Sequence, residues 1–138
     1  IPVKEIRDVF VAGRKFEYLK ERMLGNEELM KMPVMCLEGN TSTRTYVEQF
    51  LASKQVTIRP EFELATSDML IQFAVRNLGI ASVVRNFAEE HLAEGDLFEL
   101  RFLEEIPART FCIVANERIP LSAAAATLMN VLVQGTSQ

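Results

Sequence analysis

The stretch VMCLEGNTSTRTYVEQFL, Val34 to Leu51, changes character twice. Val34-Met35-Cys36-Leu37 is a short continuous apolar run, the pattern of a strand buried on both faces. Glu38-Gly39-Asn40-Thr41-Ser42-Thr43-Arg44 is a polar loop holding four amide or hydroxyl side chains in succession. From Thr45 onward, Tyr46, Val47, Phe50 and Leu51 fall at i, i+1, i+4 and i+5, the apolar stripe of an amphipathic helix that runs to Leu51 or a little beyond. The first amides of a helix have no partner inside it, and its positive dipole end favours anions by about 0.3–1 kcal/mol. The loop therefore has two readings. One is ordinary N-capping by Asn, Ser or Thr. The other is a seat for a carboxylate or oxyanion.

Working outward, the same order recurs. Upstream, Asp8-Val9-Phe10-Val11-Ala12-Gly13 reads as a strand ended by glycine. Arg14 to Met23 is mixed, a turn of helix or an irregular segment. Asn26 is expected to cap a short helix, Glu27 to Met32, which Pro33 ends. Downstream, Val56 to Leu64 is extended, and Pro60 marks an edge strand at Glu61 to Ala65. Thr66-Ser67-Asp68 opens a second helix with Met69, Leu70, Phe73, Ala74 and Leu78 on one face, and Gly79 stands where a C′ glycine belongs. Ile80 to Val84 is a buried strand. Asn86-Phe87-Ala88-Glu89 has the form of a capping box for a helix ending at Glu94–Gly95. Leu97 to Phe102 alternates as a half-buried strand, Glu104 to Ala108 links it to a strand at Thr110 to Ala115, and Pro120-Leu121-Ser122 starts an alanine-rich last helix before the tail Gly135 to Gln138.

Strands separated by helices of 6–14 residues predict an α/β fold with a largely parallel sheet flanked by helices. Ligands in such sheets sit beyond the carboxyl ends of the strands. The two polar helix starts, Asn40–Thr43 and Thr66–Asp68, each follow a strand and so belong to one edge. Together they favour a binding cleft over capping alone.

With 138 residues, the chain holds one full core, or one domain and part of a second. A net charge of −4 without any basic block argues against nucleic-acid binding by this chain itself. No apolar run reaches membrane-spanning length, and no signal peptide is visible. Cys36 and Cys112 lie inside apolar runs and read as small buried hydrophobes in a reduced cytosol. One histidine and two isolated cysteines do not make a common structural zinc pattern, so no metal or cofactor is expected. His91, between Glu90 and a leucine, reads as a solvent-exposed helix residue, which leaves a Ser-His-Asp mechanism without its base. The glycines are scattered, so there is no phosphate loop and no dinucleotide fingerprint.

The order of features from Val9 onward resembles the effector-binding part of LysR-type transcriptional regulators. The resemblance rests on Val9-Phe10-Val11-Ala12-Gly13, the turn Asn40-Thr41-Ser42-Thr43-Arg44, Phe62-Glu63-Leu64-Ala65-Thr66-Ser67-Asp68, Leu78-Gly79-Ile80-Ala81-Ser82-Val83-Val84, Leu92-Ala93-Glu94-Gly95-Asp96-Leu97 and Pro120-Leu121-Ser122-Ala123-Ala124-Ala125. It implies a fold like the type 2 periplasmic binding proteins, two α/β lobes with a small ligand between them. On that plan residues 1–102 form the second lobe with its preceding hinge. Residues 103–138 form the returning strand and C-terminal helix of a first lobe whose opening elements, with the winged helix-turn-helix, are expected to be missing. The resemblance implies no catalysis, a small effector and DNA contact only through the absent N-terminal domain; the polar helix starts favour an anion, the cysteines a cytoplasmic protein, and the apolar surface that an incomplete first lobe leaves on Thr110–Ala115 and the last helix a homo-oligomer. Thr41, Ser42, Thr43, Thr66 and Ser67 are the ligand donors that the resemblance implies. Ala12 and Gly13 would let a ligand approach the backbone, and Arg44 would pair a carboxylate or, alternatively, Glu48. A solute-binding or transport receptor of the same fold is the alternative. Where the family often has proline after the Gly79–Val84 strand, this chain has Arg85.

Overall fold

The computed structural model of the chain describes residues 2–112, 122–125, 127, 128 and 131. In chain order these form β1 (Pro2–Ile6), β2 (Asp8–Ala12), β3 (Met23–Leu24), β4 (Val34–Leu37), α1 (Ser42–Ser53), β5 (Phe62–Leu64), α2 (Ser67–Val75), β6 (Ile80–Val84), α3 (Arg85–Glu94), β7 (Phe98–Glu99), β8 (Arg101–Phe102) and β9 (Arg109–Cys112). Single 3₁₀ stretches cover Arg14–Leu19 and Asn26–Lys31. Two compact units result: Arg7–Pro107, and Ile1–Ile6 with Ala108–Gln138.

In the smaller unit, β1 pairs antiparallel with β9, with an irregularity between Pro2 and Lys4. Residues 123–125, 127, 128 and 131 are helical, and the Ser122 hydroxyl accepts from the Ala125 amide at 3.2 Å, a capping bond at the expected helix start. The expected strand beyond Cys112, the Cys112 thiol and the tail from Gly135 lie outside the described residues.

In the larger unit, five strands lie in the order β5-β4-β6-β2-β7. Pairings β4–β5 and β4–β6 are parallel, while β2–β6 and β2–β7 are antiparallel. The sheet is thus mixed rather than largely parallel. An apolar run carries no sign of its direction, and β2 enters the sheet reversed. The expected strand Leu97–Phe102 is split at Leu100: β7 joins the main sheet, and β8 pairs instead with β3 in a small parallel ladder.

Period-two alternation buries both faces of this sheet. Phe10, Ala12, Val34, Cys36 and Ile80 face Val47 and Leu51 of α1, with Phe16, Leu19, Leu24 and Leu29. Val9, Val11, Met35, Ala81 and Val83 face Leu70, Ile71 and Ala74 of α2 and Ala88 of α3. Strands covered on both faces read as continuous apolar runs, which is why β2, β4 and β6 were legible.

Three local expectations are corrected. Asn26 does not cap its turn: it is buried, its Nδ2 donates to the Glu104 carbonyl at 3.3 Å, and Glu28 accepts from the Gly25 amide at 2.9 Å. The Asn86 capping box is absent, because β6 runs directly into α3 and the Arg85 amide donates to the Arg7 carbonyl at 2.8 Å. The left-handed residue that ends α2 is Asn77 (φ 64°), not Gly79. Leu78 N–H donates to Phe73 O and Asn77 N–H to Ala74 O, both at 3.0 Å, the paired bonds of a Schellman end. Asn77 Oδ1 also accepts from the Lys15 amide at 3.0 Å. Gly79 serves another purpose: a Cβ there would lie 2.6 Å from the Pro33 carbonyl oxygen, which itself accepts from the Ile80 amide.

Gly79→Ala must therefore push β4 and β6 apart where they begin. A destabilisation of about 1–3 kcal/mol is expected, as for an overpacked core. Gly39→Ala, whose nearest neighbour would be 3.6 Å away, should change stability by less than about 0.5 kcal/mol. Urea unfolding of both variants checks this, and equal midpoints would refute the close-approach role of Gly79.

Candidate functional site

Parallel pairing sets Leu37 of β4 opposite Leu64 of β5. The strands therefore end side by side, and the Glu38 amide donates to the Leu64 carbonyl at 3.0 Å to tie their exits together. Beyond them α1 begins at Ser42 and α2 at Ser67. Thr41, Ser42, Thr43, Arg44, Thr66 and Ser67 are thereby brought to one edge. The N-terminal end of β2 lies at that edge too, since Asp8 pairs with Val84.

Helix α1 starts three residues before the expected Thr45. Thr41 is its N-cap, and its Oγ1 accepts from the Arg44 amide at 3.2 Å while donating to the Glu38 carbonyl at 3.0 Å. The Thr41 hydroxyl is therefore fully used in capping. Ser42 and Thr43 occupy the first two helical positions, whose amides no carbonyl of the helix can accept. Thr66 caps α2 in the same way, accepting from the Met69 amide at 3.2 Å, and its hydroxyl proton is not engaged by that bond. No acidic residue stands in the first turn of α1, whereas Asp68 stands in that of α2. Of the two helix starts, α1 presents the field better suited to an added anion.

Of the two expected partners of Arg44, the structure shows Glu48. The Arg44 side chain is only 12% exposed, with Nε 2.6 Å from Glu48 and Nη1 3.1 Å from Glu63. Nη1 also donates to the Leu37 carbonyl at 3.2 Å. Burial alone would lower its pKa, but hydrogen bonds and charge from Glu48 and Glu63 outweigh this and raise it above the ordinary value. The guanidinium pins α1, β4 and β5 together and has no free fork for a ligand carboxylate.

Ala12 and Gly13 do not join this edge. Because β2 runs antiparallel to β6, its C-terminal end lies at the opposite edge, where a Cβ on Gly13 would meet Asn77 Oδ1 at 2.4 Å and the Ala74 carbonyl at 2.7 Å. Ala12 is fully buried. Their role is close packing. His91 is likewise not free in solvent: its side chain is 24% exposed and Nδ1 lies 3.0 Å from Asp96 Oδ2.

One residue at this edge escaped the sequence reading. Ser82, a lone polar residue inside the apolar run of β6, is 6% exposed and lines a hollow of about 10 Å³ with Cys36, Thr43, Arg44 and Val47. That is room for about one water. Its signal was a hydroxyl where the strand pattern calls for an aliphatic side chain.

Cys36, on the same hollow, is buried, and its thiol is pushed up from 9.0 to about 11, mainly by burial, with Arg44 opposing and Glu48 and Glu63 assisting. Below pH 9 the thiol is neutral folded and unfolded, so its contribution is fully present. Between pH 9 and 11 only the unfolded chain ionises, and stability is lost. A difference of about 2–3 kcal/mol follows from linkage at 1.36 kcal/mol per unit. Denaturant unfolding from pH 8 to 11 should show wild type losing this much more than Cys36→Ala. Parallel pH curves for the two chains would contradict it.

Comparison with known proteins adds the family. The model for the LysR substrate binding domain matches residues 1–137. The HTH-type transcriptional activator CmpR of Synechocystis is 27% identical over 73 residues, covering 53% of this chain and 24% of that protein. This chain thus spans about a quarter of the length of that curated relative in the matched region. Among solved structures, the Synechocystis CcmR regulatory domain in complex with 2-PG superposes with a TM-score of 0.84 at 19% identity, covering 99% of this chain and 65% of that one. The effector binding domain of QuiR in complex with shikimate gives 0.80 at 11% identity, with 99% and 64% covered. The regulatory domain of CrgA from Neisseria meningitidis gives 0.74 at 17%, with 99% and 67% covered. At these identities the structures establish the fold.

Proposed function

The chain belongs to the LysR substrate binding domain family, and on that premise we propose that it senses a small anionic effector at the edge where α1 and α2 begin. It is the ligand-binding part of a transcriptional regulator, and the effector's signal is read by a DNA-binding domain elsewhere in the full protein. The observation that carries this reading is the side-by-side arrangement of the two helix starts, held by the parallel β4–β5 pair and the Glu38–Leu64 bond. Backbone amides of Ser42 and Thr43 and the hydroxyls of Thr43, Thr66 and Ser67 are the proposed donors. Arg44 acts behind them as a fixed brace. The described relatives CcmR and QuiR carry small ligands in their effector domains, which supports a ligand for this one.

Binding without catalysis fits the groups at this edge. Among the described residues it has no histidine, and the Cys36 thiol is buried and held neutral. We further propose that Arg7–Pro107 is the second lobe of the effector domain and that the protein works in the cytoplasm as a homo-oligomer. Leu128 and Val131, each 59% exposed, are apolar side chains of the kind an oligomer covers. Among the described residues no helix is long and apolar enough to cross a membrane.

The N1 position of α1 offers a clean test. Thr41 is extended (φ −88°, ψ 148°), the conformation that a following proline requires. Proline is also favoured at N1, where its missing N–H costs the helix nothing. Ser42→Pro therefore removes the N1 amide and hydroxyl while leaving the fold intact. In a thermal-shift screen against small carboxylates, phosphorylated acids and inorganic anions, at least one compound should stabilise the wild type. Ser42→Pro and Thr66→Ala should each weaken that compound at least tenfold, about 1.4 kcal/mol or more. Full retention of affinity in Ser42→Pro would remove α1 from the site. No hit with either this chain or the full-length protein would defeat the anion reading.

A further inference from the structure

We propose that His91, Glu94 and Asp96 form a binding site for a borderline first-row divalent cation, Zn²⁺ or Co²⁺, at the C-terminal end of α3. The three residues bring one donor atom each to within 4.8 Å of one another. His91 and Glu94 are i and i+3 on α3, hence on one face of the helix. Gly95 then takes the left-handed conformation (φ 85°), and the chain turns back so that Asp96 faces His91. Nothing lies within 4 Å of where a Gly95 Cβ would be, so the turn is open on that side.

The His91–Asp96 distance is within reach of a metal. His91 Nδ1 and Asp96 Oδ2 are 3.0 Å apart. A tetrahedral cation bound at about 2.1 Å holds two such donors about 3.4 Å apart, so the pair opens by about 0.4 Å to admit it. Glu94 is exposed, and rotation of its side chain closes the remaining gap. Water completes the shell.

A second observation points the same way. Asp96 Oδ1 is shut off from solvent and accepts no hydrogen bond. The side chain as a whole is 34% exposed and its Oδ2 faces His91, so the oxygen left without a partner is Oδ1 alone. A cation on the same carboxylate compensates its charge. The site also lies at the negative end of the α3 dipole, which favours positive charge. Imidazole in the donor set selects Zn²⁺, Co²⁺ or Ni²⁺ over Mg²⁺ and Ca²⁺, which prefer oxygen alone.

The site is separate from the proposed effector edge. Helix α3 leaves β6 at that edge and runs away from it, so its C-terminal end lies toward the start of β7. A bound cation would stiffen the α3–β7 turn and would touch neither Ser42 nor Thr66. The inference therefore does not rest on the effector reading.

The test uses this chain without a histidine tag, freed of metal by chelator. Zn²⁺ is titrated calorimetrically, and Co²⁺ is followed by its visible absorption. One site per chain is expected, with His91→Gln and Glu94→Gln each weakening it at least tenfold and excess Mg²⁺ leaving it unchanged. Glu94 is exposed, so Glu94→Gln remains informative if His91→Gln loosens the turn. No saturable binding up to about 1 mM, or binding that both variants retain, would overturn the assignment.

Discussion

The parallel pairing of β4 with both neighbours is the constraint on which the rest depends. It sets the exits of β4 and β5 side by side and aligns β6 with them. Parallel strands need crossover connections, and here α1 and α2 supply them. Each helix must then begin where a strand ends, so the amides that no helix can satisfy gather at one edge of the sheet. The proposed binding edge is thus a by-product of topology. The residues there had only to be compatible with capping, and Thr41 and Thr66 are.

Arg44 shows how the edge is held in place. A guanidinium this buried is costly unless its donors are met. Here Glu48, Glu63 and the Leu37 carbonyl meet those of Nε and Nη1, from its own helix, from β5 and from the end of β4. Exposed ion pairs contribute little alone, and both glutamates are about half exposed. The value of the arrangement lies in geometry: one rigid planar group links three elements at the point where they diverge. This is also why the charge at position 44 is a poor guide to ligand recognition. The sequence shows a cation beside a polar loop, with Glu48 four residues on, but not Glu63, which the β4–β5 pairing brings onto it.

What the sequence disclosed followed from periodicity. Strands β2, β4 and β6 are buried on both faces and appear as apolar runs; α1 and α2 carry their stripes and their N-caps within a few residues of the expected positions. What it concealed depended on contacts distant in the chain. The reversal of β2 took Ala12 and Gly13 away from the edge, and no local pattern encodes strand direction. Asn86 lost its capping role because the Arg85 amide found a partner at Arg7. Gly79 looked like a helix terminator, but Asn77, a residue that tolerates the left-handed region, had already ended α2. Gly79 was needed instead for the approach of Pro33. His91 looked exposed since its neighbours are charged; its partner Asp96 lies just past a glycine turn.

Direction also explains why the two edges of this sheet differ in chemistry. At one edge β4 and β5 end and helices begin, so N–H groups that no carbonyl within the helix accepts and the positive ends of dipoles collect there. At the other edge α2 and α3 terminate, and carbonyls and the negative ends collect. Left-handed Asn77 and Gly95 close those helices, and the side chains nearby, Asn77 Oδ1 and the carboxylate of Asp96, are acceptors. An anion is matched to the first edge and a cation to the second by backbone polarity alone, before any side chain is considered. Substituting side chains can sharpen or blunt either preference, as Asp68 blunts α2, but it cannot exchange the two edges without reversing the strands.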